Sequence, residues 1–284
     1  MSERRGILLV FAAALLWSSG GIGVKAVTEP ALEIACYRSL VAAVVLLFLF
    51  RPRRPRLTPA FLVAVISYAT CLTTFVVATK WTTAANAIFL QYSGVAWVLV
   101  LSPLVLREPL RRADVIATSV AFGGMALFFV ERLELRGMSG NLMGLVSGFF
   151  FAMLVLALRK EKDLGAEAAV TWGNVVTALV LFPFVAAGDP SVDAKSGIIL
   201  VLLGTFQIAV AYALFVRGLR VVSATQASLT SMIEPVANPI WVFLFLGEEP
   251  SRFAILGGAI VLIAVAWRTV TVGPPPEPEM QIPD

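Results

Sequence analysis

The chain has 284 residues, of which 59% are hydrophobic and 14% charged, with a mean hydropathy of +0.89; that balance excludes an ordinary soluble domain and marks an integral membrane protein. It contains no histidine, which excludes a His-based catalytic dyad and the commonest metal ligand. The pI near 9.3 comes from basic residues clustered between apolar segments, the pattern of orientation signals, so no nucleic-acid partner is expected.

Apolar runs of about twenty residues predict ten transmembrane helices, at 6–27, 31–50, 58–79, 82–106, 113–130, 141–159, 165–187, 195–216, 222–246 and 251–270. The first run lacks a small-residue cleavage site followed by a soluble body, so it reads as a span and not a removed signal peptide. It carries Trp17 and ends near Lys25, a lysine placed to snorkel to the interface. The second carries Arg38 about a third of the way in. This side chain keeps its proton and must be paired, hydrated or snorkelling; a substrate carboxylate, Glu33, Glu234 and helix carbonyls are the partners considered, and a structural or gating role is preferred to substrate binding.

The third span brings Tyr68 and the fourth Asn86, Gln91 and Tyr92. Cys36 and Cys71 sit inside apolar runs and read as small core residues. Glycines 140, 144 and 148 in the sixth span form a small-residue ridge for close helix packing. The seventh brings Trp172 and Asn174, the eighth Gln207 and Tyr212. Trp81 and Trp267 belong to the interface belt, and Trp17, Trp97, Trp172 and Trp241 lie deeper. The links are short, and the proline-rich, acidic segment 271–284 reads as a disordered tail.

The ninth span, around VSATQASLTSMIEPVANPIWVFLFLGE, concentrates the unusual chemistry. Glu234 is its one charge before the terminal acidic pair, and it falls at the midplane. Holding a charge there costs roughly 2.5–3.5 kcal/mol, close to what protonating a carboxyl at neutral pH costs. Small changes in hydration or partner therefore flip its state, which suits proton coupling; a carboxyl permanently hydrogen-bonded at the helix break is the structural alternative. Ser223, Ala227, Thr230, Glu234, Asn238 and Trp241 share one helical face. Pro235 and Pro239 remove two amide donors and free carbonyls near Thr230, Ser231 and Pro235.

Lysine and arginine set the orientation. Arg4, Arg5, Arg51, Arg53, Arg54, Arg56, Arg107, Arg111, Arg112, Arg159, Lys160, Lys162, Arg217, Arg220 and Arg268 fall on one side. Lys25, Lys80, Arg132, Arg136, Lys195 and Arg252 fall on the other. Both termini are thus expected in the cytoplasm, with the chain multi-pass in the inner membrane.

The chain also repeats. Sliding the stretch from Thr82 by 140 residues lays Ala84 on Ala224, Asn86 on Gln226, Leu104 on Leu244 and Glu108 on Glu248. Five spans per half, an odd number, makes the repeat inverted, the architecture of many secondary transporters. The expected units are 1–136 and 137–270. Gly94 and Val95 stand where the second half has Glu234 and Pro235, so only the second half is expected to supply the carboxylate and the helix break.

AALLWSSGGIGVKAV, ACYRSLVAAVVLLF, LREPLRR and IEPVANPIWVFLFLGEEP, in that order and spacing, resemble the drug/metabolite transporter superfamily, its EamA-type ten-helix group. The resemblance implies an all-α inner-membrane carrier, often an exporter of amino acids, metabolites or toxic organic compounds. The residues considered for substrate binding are Trp17, Arg38, Tyr68, Asn86, Gln91, Tyr92, Trp172, Gln207, Tyr212, Glu234 and Asn238, with Glu234 also for proton coupling. Spans one to four and six to nine would line the cavity, and five and ten would support it or dimerise, giving a monomer or homodimer. No catalytic residue, metal or cofactor is expected, and no phosphate-binding loop for direct ATP drive. A passive facilitator, or an importer of an organic cation or metabolite, is the alternative.

Overall fold

A computed structural model of the chain describes residues 1–51, 56–131, 137–163, 165–187, 192–246 and 251–271. Among these, nine helices are long and apolar enough to cross a membrane: Glu3–Ala26, Ala31–Phe50, Pro59–Trp81, Ala84–Leu106, Arg112–Phe129, Met138–Lys160, Ala166–Ala186, Ala194–Leu219 and Arg252–Thr271. The remaining span, ninth in chain order, is made of two shorter helices, Ala224–Ser231 and Ile233–Leu246. Ten spans result, numbered first to tenth below. The expectations for Arg53, Arg54, Arg132, Arg136, Glu248 and all but the first residue of the tail fall outside the described residues.

The span starts carry their own caps, which matters because backbone groups freed near hydrocarbon find no water. Thr58 accepts from the Phe61 amide at 3.0 Å ahead of Pro59 in the first turn. Thr83 accepts from the Asn86 amide at 3.0 Å, and Ser223 from the Gln226 amide at 3.2 Å. Large apolar side chains such as Leu8, Phe48, Leu104, Phe182 and Val270 point outward, as a lipid-facing surface requires. Trp97 and Trp172 join them, 44% and 38% exposed. Their helical face turns away from the core; Trp97 lies edge-on against Phe149.

The packing has the pseudo-symmetry of an inverted repeat. The second span lies against the seventh and the fifth against the tenth, each with its own counterpart. The third packs on the sixth, and correspondingly the eighth packs on the first. The start of the first span, at Gly6, abuts Gly218, Val221 and Val222, while the start of the sixth, at Gly140, abuts Trp81 and Thr82. The glycine ridge of the sixth span lies along the fourth: Gly144 meets Ala87 and Leu90, and Gly148 meets Gln91 and Ser93.

Between the fifth and tenth spans the approach is closest at Gly257, where an added Cβ would lie 2.4 Å from both the Gly124 carbonyl and the Phe128 amide. Both obstacles are backbone and cannot swing away. Gly257→Ala is therefore expected to force the two spans apart and cost about 1–3 kcal/mol, seen as a lower melting temperature of the purified protein.

Candidate functional site

Two helix breaks meet at the centre of the bundle. The ninth span breaks at Met232, and the fourth breaks at Tyr92, 140 residues earlier, between Ala84–Gln91 and Ser93–Leu106. The expectation that only the second half supplies a break is thus corrected. The interruption belongs to the repeat and forms in the first half without proline, whereas the carboxylate remains unique to the second.

At the crossing, the Tyr92 hydroxyl lies 2.6 Å from the Ser231 carbonyl and 2.8 Å from Glu234 Oε2. Ser231 is the residue four before Pro235, so its carbonyl is one that the missing proline amide leaves without a helical donor. Tyr92 supplies the replacement from the other half of the molecule. A phenol has a single hydrogen, and a carbonyl can only accept. When Tyr92 donates to Ser231, its contact with Glu234 is a hydrogen bond only if the carboxyl carries a proton and donates it. When Glu234 is ionised, the tyrosine hydrogen turns to the carboxylate and the Ser231 carbonyl is released.

The first span is broken too, between Glu3–Trp17 and Gly20–Ala26. The lower part of the ninth-span stripe binds this break. Asn238 Nδ2 donates to the Ser18 carbonyl at 3.0 Å, and Trp241 Nε1 donates to Ser18 Oγ at 2.6 Å. The eighth span has a widened π-helical turn, Leu203–Val210, a feature that often marks functional sites. Gly204 in this turn lets it lie on the second span, where a Cβ would come 2.7 Å from the Arg38 carbonyl.

These irregular segments surround a cavity lined by Trp17, Arg38, Leu72, Phe75, Gln91, Phe151, Gln207, Ile208, Tyr212 and Glu234. Tyr92 lines an adjoining recess with Gln91, Phe151 and Glu234. The main cavity leaves about 40 Å³ for the centres of water molecules, space for roughly three. With the spans as they stand, the cavity is too small for an organic solute. One wall is aromatic: the Trp17 and Tyr212 rings are 5.0 Å apart, and Tyr68 and Tyr212 are 4.8 Å apart.

The polar lining is under-satisfied. Trp17 Nε1, Arg38 Nε and Nη1, and Gln207 Oε1 are buried without a hydrogen-bond partner among the described residues. Arg38 is 1% exposed and makes no ion pair among the described residues. Glu234 faces the same cavity but is engaged by Tyr92.

Of the residues singled out from sequence, the structure thus brings Trp17, Arg38, Gln91, Tyr92, Gln207, Tyr212 and Glu234 to one place. Tyr68 stands behind Tyr212 and accepts from Asn174 Nδ2 at 2.7 Å. Asn238 serves the first-span break. Asn86 lies towards one membrane face, donating to Thr82 Oγ1 and Asn141 Oδ1, and Trp172 lies on the outer surface. The apolar liners Leu72, Phe75, Phe151 and Ile208 went unremarked, since nothing in an apolar run distinguishes a cavity wall from packing.

Each end of the bundle has a fastening. At the arginine-rich face, Arg159 pairs with Glu108 at 2.8 Å and donates to the Leu219 and Arg220 carbonyls of the connection between the eighth and ninth spans. Glu108 also accepts from the Ala224 amide at 3.0 Å, capping the ninth span from the first half. At the opposite face, Lys25 donates to the Thr82 carbonyl at 3.1 Å and Lys80 to the Val27 carbonyl at 2.6 Å. Lys25 therefore grips the connection between the third and fourth spans much as Arg159 grips its repeat counterpart.

Broken helices meeting around a central cavity, within two inverted halves, are the architecture of many multi-pass membrane transporters. The EamA-like transporter family matches the chain twice, over residues 4–130 and 138–269, and the chain belongs to that family. It is 25% identical to an uncharacterised transporter of Archaeoglobus fulgidus, over 72% of this chain and 74% of that one. It is 27% identical to the pseudopaline exporter CntI of Pseudomonas aeruginosa, over 92% and 94%. It is 23% identical to an uncharacterised inner membrane transporter, YicL, of Salmonella typhimurium, over 93% and 95%. A solved crystal structure superposes with a TM-score of 0.82 at 18% identity, covering 95% of this chain and 99% of that one, which supports the fold.

Proposed function

We propose that the protein is a secondary transporter that exports a small organic metabolite, amino acid or drug-like compound across the inner membrane, by alternating access and in exchange for protons taken up at Glu234. The arginine-rich face and both termini are cytoplasmic in this reading. Export draws support from the similarity to an exporter over nearly the whole chain. The observation that carries proton coupling is the shared hydroxyl of Tyr92, which lies within hydrogen-bond reach of both Glu234 and the proline-freed carbonyl of Ser231.

Protonation of Glu234 leaves that hydrogen on Ser231 and closes the break, whereas ionisation withdraws it and frees the ninth span to hinge. Cys71, Tyr92 and Tyr212 are the titratable groups facing Glu234, with Arg38 across the cavity.

The test is transport in proteoliposomes with and without an imposed pH gradient, for wild type and Glu234→Gln. Glutamine keeps the shape and a donor but never ionises. Gradient-driven accumulation that collapses to equilibration in the variant is the expected result. Accumulation that survives in Glu234→Gln removes the glutamate from coupling, and equilibration by wild type regardless of pH identifies a passive facilitator.

A further inference from the structure

We propose that the short helix Ala224–Ser231 is the gate between the cavity and the arginine-rich face, and that Glu108 and Arg159 are the latch that holds it shut. This rests on reading the protein as an alternating-access transporter, in which contacts between the halves at one face part before the cavity opens there.

The helix has 8 residues and ends at the Met232 break, so it has a hinge at one end from which it can turn without carrying the rest of the ninth span. Both its ends are held by the fourth span, which belongs to the other half. At the break, the Tyr92 hydroxyl lies 2.6 Å from the Ser231 carbonyl. At the membrane face, Glu108 Oε2 accepts from the Ala224 amide at 3.0 Å and from Ser102 Oγ at 3.2 Å. Gln226 ties the helix to Thr269 of the tenth span at 3.3 Å, but that contact lies within its own half and can travel with it.

Arg159 closes the arrangement from the end of the sixth span. Its Nε pairs with Glu108 Oε1 at 2.8 Å, and its Nη1 donates to the Leu219 and Arg220 carbonyls at 2.6 Å and 3.1 Å. One carboxylate and one guanidinium thus gather the end of the fourth span, the end of the sixth, and the connection that leads from the eighth into the helix. Arg220 is also paired with Glu167 of the seventh span, which keeps that connection with the second half. What marks the Glu108 pair as a latch is its contact with water. The Arg159 and Glu108 side chains are 15% and 18% exposed, whereas Arg268 and Asp114 are 5% exposed each. Parting the first pair lets water take over its bonds, but parting the second would leave two charges bare. The first is therefore reversible and the second a permanent brace.

The experiment reads access to the cavity from each face with a membrane-impermeant maleimide. Cys36→Ala and Cys71→Ala remove the native thiols, and Leu72→Cys places one on the cavity wall. Labelling is followed by mass in spheroplasts and in inside-out vesicles. Ser2→Cys, in a separate preparation, marks which of the two presents the arginine-rich face. Glu108→Gln keeps the shape and an acceptor for the Ala224 amide but gives up the ion pair. It is expected to speed labelling from the arginine-rich face about tenfold, the population shift for losing a charge-assisted bond that water partly reaches, and not to speed it from the other face. Arg159→Gln should do the same. Arg159→Lys keeps the charge but loses the guanidinium fork onto the carboxylate and the two carbonyls, and should fall between.

Labelling that is unchanged in these variants, that rises equally from both faces, or that rises only from the face opposite the arginines would overturn the proposal; the second result would make the pair a brace of the whole fold. Arg159→Lys decides the matter if the glutamine variants fail to insert. Because access is read without any solute, a working latch in a protein that moves neither amino acids nor organic cations defeats the transporter reading alone. Coupled transport with labelling indifferent to Glu108 and Arg159 defeats this inference alone.

Discussion

Replacing Tyr92 with phenylalanine is expected to abolish coupled transport while leaving a protein that still folds, with its stability lowered by about 1–3 kcal/mol. The hydroxyl is the only feature removed, and it is buried, with Tyr92 3% exposed. Its loss strands the Ser231 carbonyl at the proline break and takes from Glu234 its hydrogen-bond partner. If the three groups act as one switch, their effects on transport cannot add. Tyr92→Phe, Glu234→Gln and the double variant should then all show the same residual, uncoupled rate, a failure of additivity of the kind contacting residues give. Independent effects that multiply in the double variant would mean that Tyr92 only braces the helix and that Glu234 acts without it.

The sequence reveals the pieces of this switch unevenly. Pro235, Glu234 and the freed carbonyl are legible because proline chemistry and midplane charge are local facts. Tyr92 as their partner is not, since nothing in the fourth span states that it crosses the ninth; only the repeat, which places Tyr92 opposite Met232, hints that two breaks meet. The same limit explains Trp172. Its depth follows from position in an apolar run, but in a helix apolar on every side no periodicity tells core face from lipid face. Arg38 shows the reverse. Its burial and permanent charge can be read directly, and so can the need for a partner, but the list of candidate partners is closed only by the coordinates. There Glu234 is bound to Tyr92 and no acid among the described residues reaches the guanidinium.

The paired arginine gives the largest expected effect on stability. Asp114 and Arg268 are both 5% exposed and are bonded to each other between the fifth and tenth spans, and Asp114 also accepts from the Arg111 amide at 3.2 Å at the start of its helix. One residue beyond Arg268, Thr269 accepts from Gln226 Nε2 of the ninth span at 3.3 Å, so the pair fixes the tenth span where it meets the ninth. Asp114→Ala leaves Arg268 buried and alone, and is expected to cost about 3–5 kcal/mol, read as a large drop in melting temperature and in folded yield. Arg268→Met should cost less, because Asp114 keeps its helix-capping bond. Replacing both with apolar residues of similar volume, Asp114→Leu with Arg268→Met, should recover most of the loss, since desolvating two charges offsets most of their attraction. The double variant should also transport, because neither side chain lines the cavity. A double variant no more stable than Asp114→Ala would show that the charge pair itself, and not the stranded arginine, holds the two spans together.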